Sequence, residues 1–502
     1  MPRRSHGVVI MVTLMGVTAL AMLLPAAVGF TLREHALARA FLYSAGLLAS
    51  VTGLVYLASR SGPVVAAGGA HPFYYLTFAY LFLPVLMAIP LTEAVPGIRF
   101  IDAWFEMLSA FTTTGASVLE GEGTRSLHLW RATVAWGGGL FLMVVAIALL
   151  APLNLGGFEL FRNRSGAVGA SSAWGEVHQP TRIDESYDDK TLPRMADQLR
   201  VIAPVYVGVT LLLWVALSIA GNPPIIALML AMSTLSTSGI APDGALSGIA
   251  SEMLIAVFLV LALSRRLWPG ARGMQQGQGP FWRDPELLLA GAVLLVIFVA
   301  LVLRAILLPQ AGGPGAQLAM IWGHVFTSLS FLSTTGFISE VGGGVASVFP
   351  GAAGIVMLGL VILGGGVATT AGGLKLMRVF ALAWQARREV SKLVYPESVG
   401  GDGPRLRSLR REGAFSAWLF LMIFIFSLTA LTALLTLTGL GLEESVIFSV
   451  AALTTTGPLA QIGGPEPLLW SALGDIGKLV LAFGMLLGRL ELLLLLSVFW
   501  RR

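Results

Sequence analysis

The sequence contains no cysteine, which excludes disulfide bonds and metal sites built from thiolates. Charged residues are also scarce, because they form only 12% of the 502 residues, whereas about a quarter of the residues are charged in soluble proteins. The few His, Asp and Glu residues show no metal-ligand spacing, and no Ser-His-Asp arrangement is discernible. We therefore expect neither an enzyme nor a chain that binds a cofactor by itself.

Long apolar runs dominate what is present. The chain is 56% hydrophobic, and many windows hold the roughly 18 or more apolar residues that cross a bilayer core of about 30 Å. The first run, near residues 8–30, exceeds the roughly 7–15 apolar residues of a signal peptide, so we expect it to remain as a helix. The sequence therefore predicts a polytopic helical membrane protein.

Four short stretches of Ser and Thr, each ending in Gly, follow apolar helix-like segments. They are residues 112–115, 236–239, 333–336 and 454–457, here called the four turns. Their recurrence at intervals near one hundred residues indicates four copies of one membrane unit. In each copy the turn follows a short pore helix, about half a membrane long. Such a segment is tolerated at membrane depth only when it is buried in protein or lines a water-filled cavity.

The predicted fold is all-α, with four pseudo-repeated helix–pore-helix–filter–helix units around one central pore and two extra N-terminal helices. The predicted helices are 8–30 and 39–58; 73–92, 101–111 and 129–153; 199–220, 223–235 and 249–268; 285–308, 315–332 and 350–386; and 413–440, 442–453 and 470–499. The predicted domains are the N-terminal helices (1–60), unit one (61–160), a cytoplasmic connector (161–198), unit two (199–275), unit three (276–387), a second connector (388–412) and unit four (413–502).

The distribution of charge predicts which side of the membrane each loop occupies. Lys and Arg cluster at 162–200, 265–283, 375–411 and 501–502, whereas the turn-bearing loops of units two to four contain neither residue. The positive-inside rule puts the basic clusters in the cytoplasm and the turns on the outer side. Acidic residues on the turn side, such as Asp102 and Glu340, would concentrate cations, although ordinary solvated loops also carry such residues.

A ring of four such turns can replace the water shell of a K⁺ ion by backbone carbonyl oxygens. Glycine permits the positive φ that this ring requires, and Ser and Thr can add hydroxyl oxygens. Each preceding short helix directs the negative end of its dipole at the cavity, which favours a cation. The alternative is that these stretches are simple polar turns between transmembrane helices.

A glycine-rich segment, residues 364–373, interrupts the predicted helix 350–386. Each glycine weakens a helix by about 1 kcal/mol, and an unwound backbone at membrane depth must face a cavity. From the residues alone two interpretations remain open. The segment is either a movable gate across the pore or a glycine face for close helix packing.

Three local motifs together resemble a known family. They are Phe105-Glu106 through Thr112-Thr113-Thr114-Gly115-Ala116, the run from Gly364 to Lys375, and the run from Met485 to Glu491. In these motifs, and over essentially its whole length, the chain resembles the Trk/Ktr/HKT superfamily of K⁺ transporters. The implied selectivity-filter residues are Thr113, Thr114, Gly115, Thr237, Ser238, Gly239, Thr334, Thr335, Gly336, Thr455, Thr456 and Gly457, with K⁺ bound at Thr114, Ser238, Thr335 and Thr456.

The resemblance also implies a gate beside the filter. The implied gate residues are Gly364, Gly365, Gly366, Thr369, Thr370, Gly372, Gly373 and Arg489. Arg489 would line the pore and hold the segment by hydrogen bonds, the alternative being that it snorkels to the inner interface. Lys478, three helical turns earlier, is expected to be structural. We expect Glu106 to anchor its pore helix and His324 to be a hydrogen-bonded core histidine.

The implied function is K⁺ uptake across the cytoplasmic (inner) membrane of a bacterium, since Gly115 stands where Ser accompanies Na⁺ preference in the family. The resemblance further implies a homodimer and a Trk-type cytoplasmic nucleotide-binding regulatory subunit, through which NAD or ATP would act. Ile240 and Pro458 depart from the family pattern and leave individual carbonyl positions open. A cation symporter coupled to Na⁺ or H⁺ is the alternative, although such carriers usually contain inverted repeats, whereas these repeats are parallel.

Overall fold

The computed structural model describes residues 6–61, 72–119, 124–151, 186–242, 246, 248–269, 283–307, 313–341, 353–394 and 411–490. Every regular element within these ranges is a helix. Seven of the described helices are long and apolar enough to cross a membrane. The chain is thus an all-α polytopic membrane protein, as its apolar runs predict.

The first three helices form an N-terminal hairpin. They are α1 (His6–Ala21), α2 (Leu23–Thr31) and α3 (His35–Ser61). The predicted helix 8–30 is therefore interrupted at Met22, although α1 and α2 together form a single apolar span. α3 packs against both of them, and the hairpin lies against the helices of unit one.

The remaining helices are grouped here into four units in chain order. Unit one comprises α4 (Pro72–Ala94), α5 (Phe100–Phe111) and α6 (Arg125–Val145), which continues through a π-helical turn at Ala146–Leu150. Unit two comprises α7 (Ser186–Ile219), α8 (Pro224–Ser236) and α9 (Ile249–Leu259). Unit three comprises α10 (Pro285–Leu307), α11 (Gly313–Leu332), α12 (Ala353–Leu363) and α13 (Leu376–Val394). Unit four comprises α14 (Arg411–Thr436), α15 (Leu442–Leu453), α16 (Leu459–Ile462) and α17 (Asp475–Arg489).

Helix ends differ from the sequence prediction in several places. α7 begins at Ser186, inside the predicted connector 161–198, and α13 extends to Val394 rather than ending near residue 386. Charged residues do not stop a helix when they lie on its polar face, so the change in composition is a poor marker of these ends. α17 begins at Asp475 after a short 3₁₀ turn at Trp470–Ala472, because an acidic residue in the first turn favours a helix start. Residues 152–185, 395–410 and 491–502 lie outside the described part.

The four units contact one another in sequence order. α6 of unit one packs on α8 of unit two, and α9 of unit two packs on α11 of unit three. α12 of unit three packs on α15 of unit four, and α17 of unit four returns to α5 of unit one. The pore helices α5, α8, α11 and α15 therefore lie at the centre, with the four turns at their C-terminal ends. α11, with 20 residues, is longer than the half-membrane length that the sequence predicts.

Candidate functional site

The four turns share one backbone geometry. Their second residues, Thr113, Thr237, Thr334 and Thr455, adopt left-handed conformations with φ between 52 and 56°. The third residue of each turn donates its N–H to the carbonyl five residues earlier, at 2.8–3.0 Å, in the pairs Thr114–Ser109, Ser238–Ser233, Thr335–Ser330 and Thr456–Ala451. These bonds form a Schellman helix end, which reverses the chain where each pore helix stops.

Threonine is an unusual residue at a left-handed helix end. A β-branched side chain at positive φ is a conformational outlier that costs on the order of 1–3 kcal/mol, and such outliers cluster at functional sites. The hydroxyl of Thr334 accepts the N–H of Gly372 at 2.7 Å, and the hydroxyl of Thr113 accepts a hydrogen bond from Arg489. The sequence predicts positive φ at the glycines but gives no signal that threonine adopts it too.

The glycines bring adjacent units into contact. Gly115, Gly239 and Gly336 have φ values of 74, 64 and 87°, as their residue type predicts. A side chain at Gly115 would collide with the carbonyl of Ser238 in unit two, and one at Gly239 with the carbonyl of Thr335 in unit three. Substituents at Gly336 and Gly457 would meet units four and one, respectively. The turns therefore form a closed ring in the order one, two, three, four.

The glycine of unit four differs from the other three turn glycines. Gly457 does not adopt a positive φ, its N–H donates to the carbonyl of Thr114 at 2.6 Å, and its own carbonyl accepts the indole N–H of Trp470 at 3.2 Å. The ring of Pro458 lies within 2.9 Å of the positions that side chains of Gly239 and Gly336 would occupy. Because unit two lies across the ring from unit four, Pro458 reaches over the central axis.

A cavity of about 610 Å³ opens on the glycine side of the ring. It is lined by all four turn glycines, by Pro458 and by Glu340, and Arg131 also reaches it. Arg131 is paired with the buried carboxylate of Glu106, so its charge is compensated. The cavity gives access to the ring from the side of the turn-bearing loops, which the charge distribution of the sequence predicts to be outside.

The chain after each turn is fastened to the pore helix before it. Glu106 Oε2 accepts the N–H of Val118 at 2.8 Å in unit one, and Thr327 Oγ1 accepts the N–H of Ser339 at 3.1 Å in unit three, both across 12 residues. Glu106 thus anchors its pore helix, as predicted. His324 is 3% exposed, and its Nδ1 lies 2.8 Å from the carbonyl of Met320, which confirms the expected core histidine.

The glycine-rich segment lies on the opposite side of the ring from the cavity. It separates α12 from α13, as the sequence predicts. Thr370 donates its hydroxyl to the carbonyl of Leu235 in unit two at 3.1 Å, and Gly372 donates its N–H to Thr334 in unit three. A side chain at Gly372 would collide with the carbonyl of Thr454 in unit four. The segment therefore contacts the pore-helix ends of three units at once.

Arg489 joins the segment to the remaining unit. Its guanidinium donates to the carbonyl of Thr370 at 2.7 Å and to the hydroxyl of Thr113 in unit one. The side chain is 3% exposed, so it does not snorkel to an interface. The hydrogen bonding predicted between Arg489 and this segment is present.

A charged cluster joins the first and last units near the N-terminal ends of α5 and α17. Lys478 lies 2.6 Å from Asp102, and Arg99 lies 2.9 Å from Asp102 and 2.7 Å from Asp475. Burial alone would raise the pKa of Asp102, but the hydrogen bonds from Arg99 and Lys478 hold that pKa below its usual range. Lys478 is thus structural, as expected, whereas sequence reasoning missed its partner because Asp102 lies 376 residues away.

Among the described residues, no group of three or more His, Cys, Asp and Glu side chains could hold a metal ion. The oxygen atoms that converge on the ring are instead backbone carbonyls and hydroxyls. Such neutral donors suit a weakly bound monovalent cation that is released again.

Comparison with known proteins yields similarities over most of the chain. No family model matches it. The chain is 29% identical over 418 residues to the Trk system potassium uptake protein TrkH of Vibrio parahaemolyticus, which covers 81% of both sequences. It is 26% identical over 500 residues to TrkH of Salmonella typhimurium, which covers 96% of both.

The fold matches as well. The crystal structure of the potassium transporter TrkH from Vibrio parahaemolyticus superimposes with a TM-score of 0.78 at 23% identity and covers 99% of both chains. The sequence and fold similarities together confirm the resemblance that the motifs indicate: this chain has the TrkH fold and resembles the TrkH membrane subunits of the Trk/Ktr/HKT superfamily over most of its sequence.

Proposed function

We propose that this chain takes up potassium ions across the cytoplasmic membrane, along the axis of its four units. The observation that carries this function is the closed ring of four turns, each of which ends a pore helix in the same strained conformation. The names of the similar TrkH proteins support it, since they describe potassium uptake proteins.

The selectivity filter is proposed to consist of residues 113–115, 237–239, 334–336 and 455–457. K⁺ is held by oxygen atoms of Thr114, Ser238, Thr335 and Thr456. In support, the carbonyls of Ser238 and Thr335 lie beside the glycines of the neighbouring units rather than against bulky side chains. The negative ends of four short helices point at the same place, which lowers the energy of a cation there.

The glycine-rich segment and Arg489 are proposed to form the gate. The segment touches the pore-helix ends of units two, three and four, and Arg489 extends the contact to unit one. A chain segment in this position crosses the axis on the side away from the cavity. A buried positive charge beside it also repels a cation, so movement of both is required for flux.

The cavity side is proposed to face outward, because the basic clusters of the sequence then lie in the cytoplasm. We further propose that the chain forms a homodimer and works with a TrkA-type cytoplasmic subunit that binds NAD or ATP. We also propose that the protein lies in the inner membrane of a bacterium. The family resemblance supports both proposals. Residues 161–198 and 388–412 are the proposed connectors, and most of both lies outside the described residues.

The first experiment is growth of a bacterium that lacks its own K⁺ uptake systems on sub-millimolar K⁺, combined with ⁸⁶Rb⁺ uptake. We expect this chain to restore growth and uptake, alone or co-expressed with its nucleotide-binding partner. A well-expressed chain that restores neither, with and without the partner, would contradict potassium uptake. Uptake that collapses when an Na⁺ or H⁺ gradient is removed at constant membrane potential would favour the coupled symporter instead.

A further inference from the structure

A buried carboxylate outside the ring holds the glycine-rich segment. Glu286 lies in the first turn of α10 and is 1% exposed. Its Oε1 accepts the backbone N–H of Val367 at 2.8 Å, across 81 residues of sequence. Val367 is itself fully buried in the middle of the segment. The function derived above makes no use of this carboxylate.

The chain just after α9 holds the same part of the segment from another direction. The carbonyl of Ala262 accepts both the N–H of Gly366 and the hydroxyl of Thr369, each at 2.9 Å. A side chain at Gly366 would lie 2.6 Å from the carbonyl of Leu263, so the two backbones are in direct contact. Residues 366–369 are thus bonded at three points to groups that do not belong to the ring.

These two holding elements are themselves joined. Asp284 is 4% exposed, accepts the hydroxyl of Ser264 and the N–H of Glu286, and lies 3.6 Å from Arg266. Arg265, which is 2% exposed, follows Ser264 in a 3₁₀ turn at Arg265–Leu267. The carboxyl group of Glu286 is therefore fixed in place, and a carboxyl oxygen held in this way can orient the backbone amide of Val367.

We propose that Glu286 is a positioning residue that latches residues 364–373 in the conformation that closes the pathway. The latch affects transport only if this segment is the gate, so its effect on flux rests on the proposed function. Loss of the carboxylate would leave the N–H of Val367 buried without its acceptor, which destabilises the closed conformation and not an open one in which this group meets water. Flux should therefore rise rather than fall when the latch is removed.

The absence of cysteine allows a direct test of the segment's position. Val367→Cys supplies the only thiol in the chain and keeps the backbone N–H. Its rate of modification by a small methanethiosulfonate reagent is measured on the full chain in lipid nanodiscs, with and without Glu286→Ala. We expect modification about tenfold faster in Glu286→Ala, which corresponds to about 1.4 kcal/mol. The matched control Glu286→Gln retains an oxygen acceptor and should change the rate less than twofold.

The same variants are then compared for ⁸⁶Rb⁺ efflux from liposomes without the reporter cysteine. We expect Glu286→Ala to raise basal efflux about tenfold, whereas a residue with a merely structural role would lower it through loss of folded protein. Thr369→Val removes the hydroxyl that donates to the carbonyls of Ala262 and Gly366. It provides a second variant of nearly the same shape and should raise both rates severalfold.

The two measurements separate the latch from the transport function. Equal thiol rates in Val367→Cys alone and in Val367→Cys combined with Glu286→Ala or Thr369→Val would overturn the latch whatever the flux. Faster thiol modification combined with no ⁸⁶Rb⁺ efflux in any variant would support the latch and contradict the proposed ion pathway. Faster modification together with lower efflux would overturn the assignment of this conformation as closed.

Discussion

At the scale of single residues, the four left-handed threonines are the most informative feature of the site. A glycine at these positions would adopt the same conformation without this strain. In the structure the hydroxyls of Thr113 and Thr334 face Arg489 and the glycine-rich segment. Thr113 and Thr334 therefore connect the ring to the proposed gate, whereas the glycines connect each unit to the next.

Gly115→Ser tests the requirement for glycine in the ring. A Cβ atom at this position would overlap the carbonyl of Ser238, and positive φ disfavours serine. We expect at least a tenfold loss of ⁸⁶Rb⁺ uptake and a rise in ²²Na⁺ uptake relative to ⁸⁶Rb⁺.

The matched control is Gly137→Ser on α6, where a Cβ atom would have open space. The control should leave both uptake rates within about twofold. An unchanged ratio of ²²Na⁺ to ⁸⁶Rb⁺ uptake in Gly115→Ser would remove this residue from the filter.

Pro458→Ala tests the asymmetry of the ring. The proline ring extends across the axis towards Gly239 and Gly336, so it narrows the cavity side of the proposed pathway. Alanine removes two ring carbons from this position, and we expect faster ⁸⁶Rb⁺ uptake with weaker discrimination against Na⁺. Slower uptake with unchanged discrimination would instead assign Pro458 to folding of the turn.

At the scale of elements, the break between α12 and α13 decides what the third unit can do. A continuous helix from Ala353 to Val394 would satisfy its own backbone groups. The glycine-rich segment instead forms hydrogen bonds with another unit, as at Leu235 and Ala262 of unit two. Bonds to other elements can be exchanged one at a time, which makes this segment a better candidate for movement than an intact helix.

Arg489→Ala tests the contact between α17 and the segment. The guanidinium connects Thr370 to Thr113, so its removal frees the segment from unit one and removes a positive charge from the pathway. We expect a folded protein with several-fold faster ⁸⁶Rb⁺ flux. Wild-type flux at equal expression would refute the assignment of Arg489 to the gate.

At the scale of the whole molecule, the last unit must pack against the first to close the ring, although the two lie at opposite ends of the chain. The junction between units four and one is therefore made without a covalent connection. α17 runs parallel to α5, and three polar contacts at a constant separation of 376 residues hold the two helices together. Two of these contacts belong to the cluster of Arg99, Asp102, Asp475 and Lys478.

Asp102→Ala should weaken the contact between units four and one and lower the stability of the fold. Lys478 is 3% exposed, and a buried charge that loses its partner destabilises a fold by about 3 kcal/mol. Thermal unfolding in detergent would measure the loss. The control is Asp197→Ala, which removes an exposed pair with Arg200 at 3.8 Å and should change stability by less than about 1 kcal/mol.

The contribution of Asp102 also predicts a dependence on pH. Because the pKa of Asp102 is lower in the folded protein than its ordinary value of 3.8, the carboxylate stabilises the fold above that value. This stabilisation disappears as the pH falls through the lowered pKa. The difference in stability between wild type and Asp102→Ala should therefore be constant near neutrality and shrink below about pH 4.

The sequence alone determined the features that depend on neighbouring residues. Apolar runs of sufficient length predict the spanning helices, because each must satisfy its backbone within itself. The repeated turns predict four similar units, and the glycines of residues 364–373 predict a helix break. The function of the break stayed open between a gate and a packing face, because local composition does not say what an unwound segment contacts.

Only the tertiary structure decided how these pieces meet. It placed threonine in the strained position of each turn, Pro458 over the axis, and Lys478 beside Asp102. It also brought Glu286 to the backbone of Val367, a contact that no motif or periodicity indicates. These arrangements depend on which groups face one another across units. Residue spacing along the chain determines the shape of each unit, but it does not determine which residues of other units become neighbours when the ring closes.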